Sequence, residues 1–315
     1  VSNSEIMIEI QNLTKKFATN TVLDNISFTV NKGEVLGFLG PNGAGKTTTM
    51  KIITSFWAPT SGSVKIDGLE VSTHSLITRK KIGYLPETVP LYDEMKVLEY
   101  LRFIGQIRGL DKEQAKQRIK EVVQICGLAK VVHQLIEELS KGYRQRVGLA
   151  QAIMHQPDIL ILDEPTTGLD PNQIVEIREL IKKIGQEKTV IFSTHILSEV
   201  SATCDRVIII NQGKIVGEGS PRELISKIGV SELIYVKIKG SKEIVLEKLR
   251  EMENVESVEV KDREAEDVYG YEIKPQSGVD LREYLSMTVM NNGWSILEFS
   301  KKSVSLEEVF RELTK

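Results

Sequence analysis

The segment Gly40-Pro41-Asn42-Gly43-Ala44-Gly45-Lys46-Thr47 satisfies G-x-x-x-x-G-K-[ST] at every fixed position. It follows Val35–Leu39, an apolar run that reads as a buried strand, and it leads into a helical pattern over residues 47–54. A strand passing through glycines into a helix restricts the chain to an α/β nucleotide-binding layer. Glycines let backbone N–H groups curl around phosphate oxygens with no Cβ in the way. The helix start adds its positive end. The candidate nucleotide-binding residues here are Asn42, Gly43, Ala44, Gly45, Lys46, Thr47 and Thr48. Lys46 would reach the β- and γ-phosphates, and the Thr47 hydroxyl would ligate Mg²⁺. A flexible loop that matches by chance is the alternative, and the strand–loop–helix context disfavours it.

Three further apolar runs, Ile159–Leu162, Val190–Phe192 and Val207–Ile210, read as core strands, with a helix at about 172–184 between the first two. Continuous apolar strands alternating with helices argue for a parallel sheet covered on both faces. The first run ends in Asp163-Glu164 and the second leads to His195. Ligands of open α/β sheets gather at the carboxyl ends of strands, so all these residues converge near the loop. Asp163 would orient the waters of Mg²⁺, and Glu164 would polarise the water attacking the γ-phosphate. His74, His133 and His155 read as structural.

Between about 88 and 155 the pattern turns helical. Val97, Tyr100, Leu101 and Ile104 share one helix face. Asp111 opens a second helix with Gln114 as its capping-box partner, and Gly127 stops it. After about residue 230 the order βαββαβα predicts a small ferredoxin-like α+β domain over 231–315, following a first domain over 7–225. Val1–Ile6 precede Met7, a plausible start, and read as an extension.

The 315 residues suit two domains. A net charge of −3 removes bulk attraction to nucleic acid as a default. Cys126 and Cys204 are too few for a disulfide framework and are not spaced as a metal site. No apolar run approaches the ~18 residues of a membrane span, and no secretory signal is visible, so the expected location is cytosolic.

With these pieces in place, Leu139-Ser140-Lys141-Gly142-Tyr143-Arg144-Gln145-Arg146-Val147 resembles the signature segment of the ATP-binding subunits of ABC transporters. The resemblance covers residues 7 to about 225. It implies a P-loop NTPase core of the ABC ATPase type with a helical subdomain at about 88–155. It further implies that Ser140 and Gly142 bind the γ-phosphate of ATP held by the opposite subunit of a head-to-tail homodimer. Phe17 resembles the aromatic that stacks on adenine, with Val22 nearby; Phe17 also suits a core position. Asp170, in Gly168-Leu169-Asp170, resembles the loop joining the two ATP sites, and His195 the switch histidine at the γ-phosphate. Glu87 stands where most of the family carries a glutamine that touches Mg²⁺, and Lys141 and Tyr143 replace the usual Gly and Gln.

The segments around Glu87, Ser140 and Pro165–Asn172, and the closing run 305–310, look most like the stand-alone ATPases of bacterial ABC-2-type exporters, including gliding-motility-associated ones. That implies a separate transmembrane permease, docked near Tyr92–Leu110, on the inner face of the membrane. The alternative is an ABC-type ATPase acting on nucleic acid or ribosomes. Residues 241–268 oppose it, with ten acidic and five basic side chains.

Overall fold

Every residue of Val35–Leu39, Ile159–Asp163 and Thr189–Thr194 is buried, as expected of central strands covered on both faces. The computed structural model describes residues 5–227, 233–276, 279–302 and 306–314. Its six-stranded sheet runs in the order Lys214–Gly219, Arg206–Asn211, Val35–Leu39, Thr189–Thr194, Ile159–Asp163, Ile82–Leu85. All neighbours are parallel except the Lys214–Gly219 edge strand, which pairs antiparallel with Arg206–Asn211. The phosphate-loop strand is central, flanked by the strand that delivers His195.

Strand alternation divides the core. Leu160, Leu162, Val190 and Phe192 face the helical region, whereas Ile159, Ile161, Ile191 and Ile208 face a second, antiparallel sheet. That sheet comprises Asn20–Asn31, Ile6–Phe17, Ser61–Ile66 and Leu69–Glu70. Ile6 pairs with Asn31, and the Lys32 N–H donates to the Glu5 carbonyl at 2.9 Å. Glu5 and Ile6 are therefore part of the fold rather than an extension.

The helical region contains Val97–Ile107, Lys112–Ile125 and Lys141–Ile153. Asp111 accepts the Glu113 and Gln114 N–H groups at 3.0 and 2.9 Å, and the Gln114 side chain accepts the Asp111 N–H at 3.1 Å. Such a cap contributes about 1 kcal/mol. Helix Pro171–Gly185 begins at the predicted place, between the strands that carry Glu164 and His195.

Contacts divide the chain between Pro221 and Arg222, a few residues before the expected end at 225; residues 228–232 lie outside the described set. The second unit has the order Leu233–Lys239, Lys242–Arg250, Val255–Ala265, Val268–Pro275, Arg282–Asn291, Ser295–Lys302, Leu306–Leu313. Its four strands are antiparallel in the spatial order Val255–Ala265, Val268–Pro275, Leu233–Lys239, Ser295–Lys302, which is the split βαβ arrangement. Ile234, Val236, Val245, Leu249, Tyr271 and Leu285 form its core. Ser305, part of the closing run quoted above, lies outside the described residues.

Candidate functional site

The glycine-rich turn is held by its own backbone and by its neighbours. Gly45 adopts φ +110°, and a Cβ there would come within 2.6 Å of Leu23 Cδ2 and 3.1 Å of the Val22 carbonyl. Only glycine meets both demands. Helix Lys46–Ile53 starts directly after it. Lys46 is 6% exposed, and its ammonium donates to the Gly40 and Pro41 carbonyls at 2.8 and 3.2 Å. The same nitrogen lies 3.1 Å from Glu164 Oε1, an ion pair buried on both sides.

Glu164 sits where strand Ile159–Asp163 turns, at φ +49°, a region non-glycine residues rarely occupy. Its N–H donates to Ser193 Oγ at 3.0 Å and to the Ser193 carbonyl at 3.2 Å, which holds the turn. Its Oε2 lies 2.9 Å from His195 Nδ1 and accepts the Thr167 hydroxyl at 3.2 Å. One carboxylate thus bridges the phosphate-loop lysine and the strand-end histidine.

Asp163 is 1% exposed, and its Oδ1 accepts hydroxyls from Ser193 at 2.6 Å and Thr47 at 3.1 Å. Burial pushes its carboxyl above the usual range, and these two hydrogen bonds pull against that. Its Oδ2 is buried and meets no donor. A carboxylate with a bare buried oxygen beside a threonine hydroxyl suits a hard cation that prefers oxygen ligands, so Thr47 and Asp163 fit Mg²⁺. Glu87, exposed on the rim of the same cleft, could supply a further oxygen. Among the described residues no cluster of three or more His, Cys, Asp or Glu could hold a metal by itself. Phosphate oxygens and water would complete the shell.

The cleft has a volume of about 500 Å³ and brings together Asn42, Gly43, Gly45, Lys46, Thr47, Thr48, Glu87, Glu164 and His195, with Val22 at its side. Asn20 and Thr167 line it as well: Asn20 opens strand Asn20–Asn31, and Thr167 lies in the loop of the Pro165–Asn172 segment, where no residue pattern marks it as a cleft residue. Ser193, which ties Asp163 to Glu164, was missed, although its place just before Thr194-His195 was the available signal.

Other expected residues lie elsewhere. Ala44 is buried, and its N–H and carbonyl are used within the fold, by Pro41 and Gly213. Phe17 does not line the cleft; it is 40% exposed, edge-on to Trp57 at 5.0 Å, with Lys15 4.9 Å above its ring. Ser140 caps helix Lys141–Ile153 by accepting the Tyr143 N–H at 3.4 Å. Asp170 caps helix Pro171–Gly185, accepting the Asn172 and Gln173 N–H groups at 3.0 Å each. These two helix starts pack together. The Gln173 side chain lies 2.7 Å from where a Gly142 Cβ would stand, and Lys141 Nζ occupies the space beside Gly168 that a Cβ would need. Ser140 and Asp170 are exposed at these adjoining helix starts, with Gly142 buried beneath Gln173, and none of the three lines the cleft.

A glycine-rich phosphate cradle facing a buried lysine, two strand-end carboxylates and a histidine defines a nucleoside-triphosphate-hydrolysing P-loop protein. Comparison with known proteins narrows the class. A family model described as ABC transporter matches residues 23–167, and one described as an AAA domain matches 134–201. The linearmycin resistance ATP-binding protein LnrL of Bacillus subtilis is 35% identical over 257 residues, covering 81% of this chain and 83% of that protein. The ABC transporter ATP-binding protein NatA of the same organism is 39% identical over 225 residues, covering 70% and 91%. Among solved structures, an ATP-binding subunit of an ABC transporter matches with TM-score 0.65 at 29% identity, covering 71% of this chain and 93% of that one. The dimeric cassette MJ0796 in a post-hydrolysis state with ADP and Pi matches with TM-score 0.62 at 27% identity, covering 68% and 98%. The chain belongs to the family of ABC transporter ATP-binding subunits, and it is an ATPase.

Proposed function

We propose that this chain powers an ABC-2-type transporter, of the branch that includes the gliding-motility-associated ATPases, through a separate transmembrane permease. The observation that carries the chemistry is the bridge at the mouth of the phosphate loop, in which Glu164 pairs with the buried Lys46 on one side and the exposed His195 on the other. Lys46 and the loop N–H groups hold the β- and γ-phosphates, Glu164 takes a proton from the attacking water, and His195 orients Glu164 and meets the γ-phosphate. Mg²⁺, held by Thr47 and Asp163 with Glu87 beside them, would neutralise charge on the phosphates. Val22 lines the adenine side of the cleft, and Phe17, outside that lining, offers an exposed ring for adenine to stack on.

Two copies assemble head to tail, so that Ser140, Gly142 and Asp170 of one chain complete the cleft of the other. Their grouping at two adjoining helix starts outside their own cleft supports this reading. The permease docks at Tyr92–Leu110. Tyr92 is 56% exposed there and stacks edge-on against Phe103 at 5.5 Å, an apolar patch close in sequence to Glu87. No helix of the described residues is long and apolar enough to cross a membrane, so the chain would work from the cytoplasmic face, held there by the permease. No nucleic-acid partner is expected.

The assembly is tested by light scattering of Glu164→Gln with ATP and Mg²⁺. A doubling of mass that Ser140→Arg abolishes is the expected result. A Glu164→Gln chain that binds ATP yet stays monomeric would overturn the head-to-tail dimer.

A further inference from the structure

Thr194 ends the strand that delivers His195, and it is fully buried. Its hydroxyl is used twice, donating to Glu199 Oε2 at 2.7 Å and accepting the Ile196 N–H at 3.0 Å. Its carbonyl accepts the Gly40 N–H at 3.3 Å, which ties the same residue to the start of the phosphate loop. Glu199 lies in the first turn of helix Leu197–Thr203 and is 1% exposed. Its N–H returns to the Ile196 carbonyl at 3.2 Å, closing a small ring of bonds around the His195 turn. Its Oε1 is buried and meets no donor, and among the described residues no lysine, arginine or histidine pairs with it. A carboxyl buried on these terms opposes folding. What it holds is the turn at 194–196.

We propose that Glu199 is a positioning residue for ATP hydrolysis. Through the Thr194 hydroxyl it fixes the turn that aims His195 Nδ1 at Glu164 Oε2, 2.9 Å away. The inference rests on the reading of Glu164 and His195 as the hydrolytic pair. Side chains at 194 and 199 do not line the cleft, so they act on turnover through the backbone they hold; a route through His195 is told apart from one through Gly40 by the His195→Ala background. A hydroxyl at 194 and an acceptor oxygen at 199 are required, and neither position needs a charge. Thr194→Ser and Glu199→Gln keep those atoms; Thr194→Val and Glu199→Leu remove them.

The test is steady-state ATP turnover of the full chain with these four substitutions, alone and combined with His195→Ala. Thr194→Val and Glu199→Leu should lower kcat about tenfold while KM for ATP stays within about twofold, as expected of a lost transition-state contact. Thr194→Ser and Glu199→Gln should restore most of the rate. In the His195→Ala background Thr194→Val should cause no further loss, because both changes remove one contact. Thr194→Val is nearly isosteric and carries the test even if Glu199→Leu does not fold. Equal fractional losses with and without His195 would overturn the positioning role alone. A His195→Ala chain with full turnover would overturn the hydrolytic pair itself, and this proposal with it.

Discussion

Glu164 points its two carboxylate oxygens in different directions, one to Lys46 and the other to His195 and Thr167. Glu164 makes these contacts from a left-handed backbone at φ +49°, which costs roughly 1–3 kcal/mol. The identities of Lys46, Asp163, Glu164 and His195 were legible in the sequence because each follows an unmistakable core strand or its loop. Their cross-links were not, since Ser193 and Thr167 act through geometry that spacing does not encode. Glu87 is the informative departure, a carboxylate where the resembling family has an amide. A rim carboxylate strengthens attraction for a divalent cation. Glu87→Gln should therefore raise the Mg²⁺ concentration needed for half-maximal ATP turnover severalfold, read from a Mg²⁺ titration. An unchanged titration would remove Glu87 from the metal site.

At the scale of elements, long apolar or capped segments were visible in advance, and short paired ones were not. The Asp111–Gln114 box and the stop at Gly127 marked helix Lys112–Ile125 nearly to the residue. Strand Leu69–Glu70 has two residues, and edge strand Lys214–Gly219 includes Gly217 and Gly219; both exist because a neighbouring strand pairs with them. Helix Leu197–Thr203 is also short, yet it carries Glu199. His155 links two elements, because its Nε2 lies 3.0 Å from the carbonyl of Ile82 on the neighbouring strand, while its Nδ1 is buried without a partner. Burial lowers its pKa to about 4, aided by the Arg108 charge. Between the unfolded value of about 6.5 and that figure, the unfolded chain takes up a proton that the folded chain refuses, so stability falls as pH falls; above 6.5 there is no dependence. The melting temperature should accordingly drop more steeply between pH 6.5 and 4 in the wild type than in His155→Gln. Equal slopes would show that His155 does not titrate on unfolding. Asp163 contributes with the opposite sign, and equally in both proteins.

Across the whole molecule, the phosphate loop, Glu164 and His195 line one cleft, and Ser140, Gly142 and Asp170, which the proposed dimer would use for a partner's ATP, lie outside it. On the proposed assembly, a monomer binds ATP through its own cleft and needs a second copy to close the site. The second unit has its own core, and its sequence order was readable because strands and helices there are short but regular. The chemistry itself concentrates on Glu164, and steady-state ATP hydrolysis by the wild type and Glu164→Gln measures it most directly. The predicted result is a kcat at least about a hundredfold lower in the variant, in the range of a lost general base, with ATP still bound. Turnover within a few-fold of the wild type would contradict the role of Glu164 and, with it, the proposed mechanism.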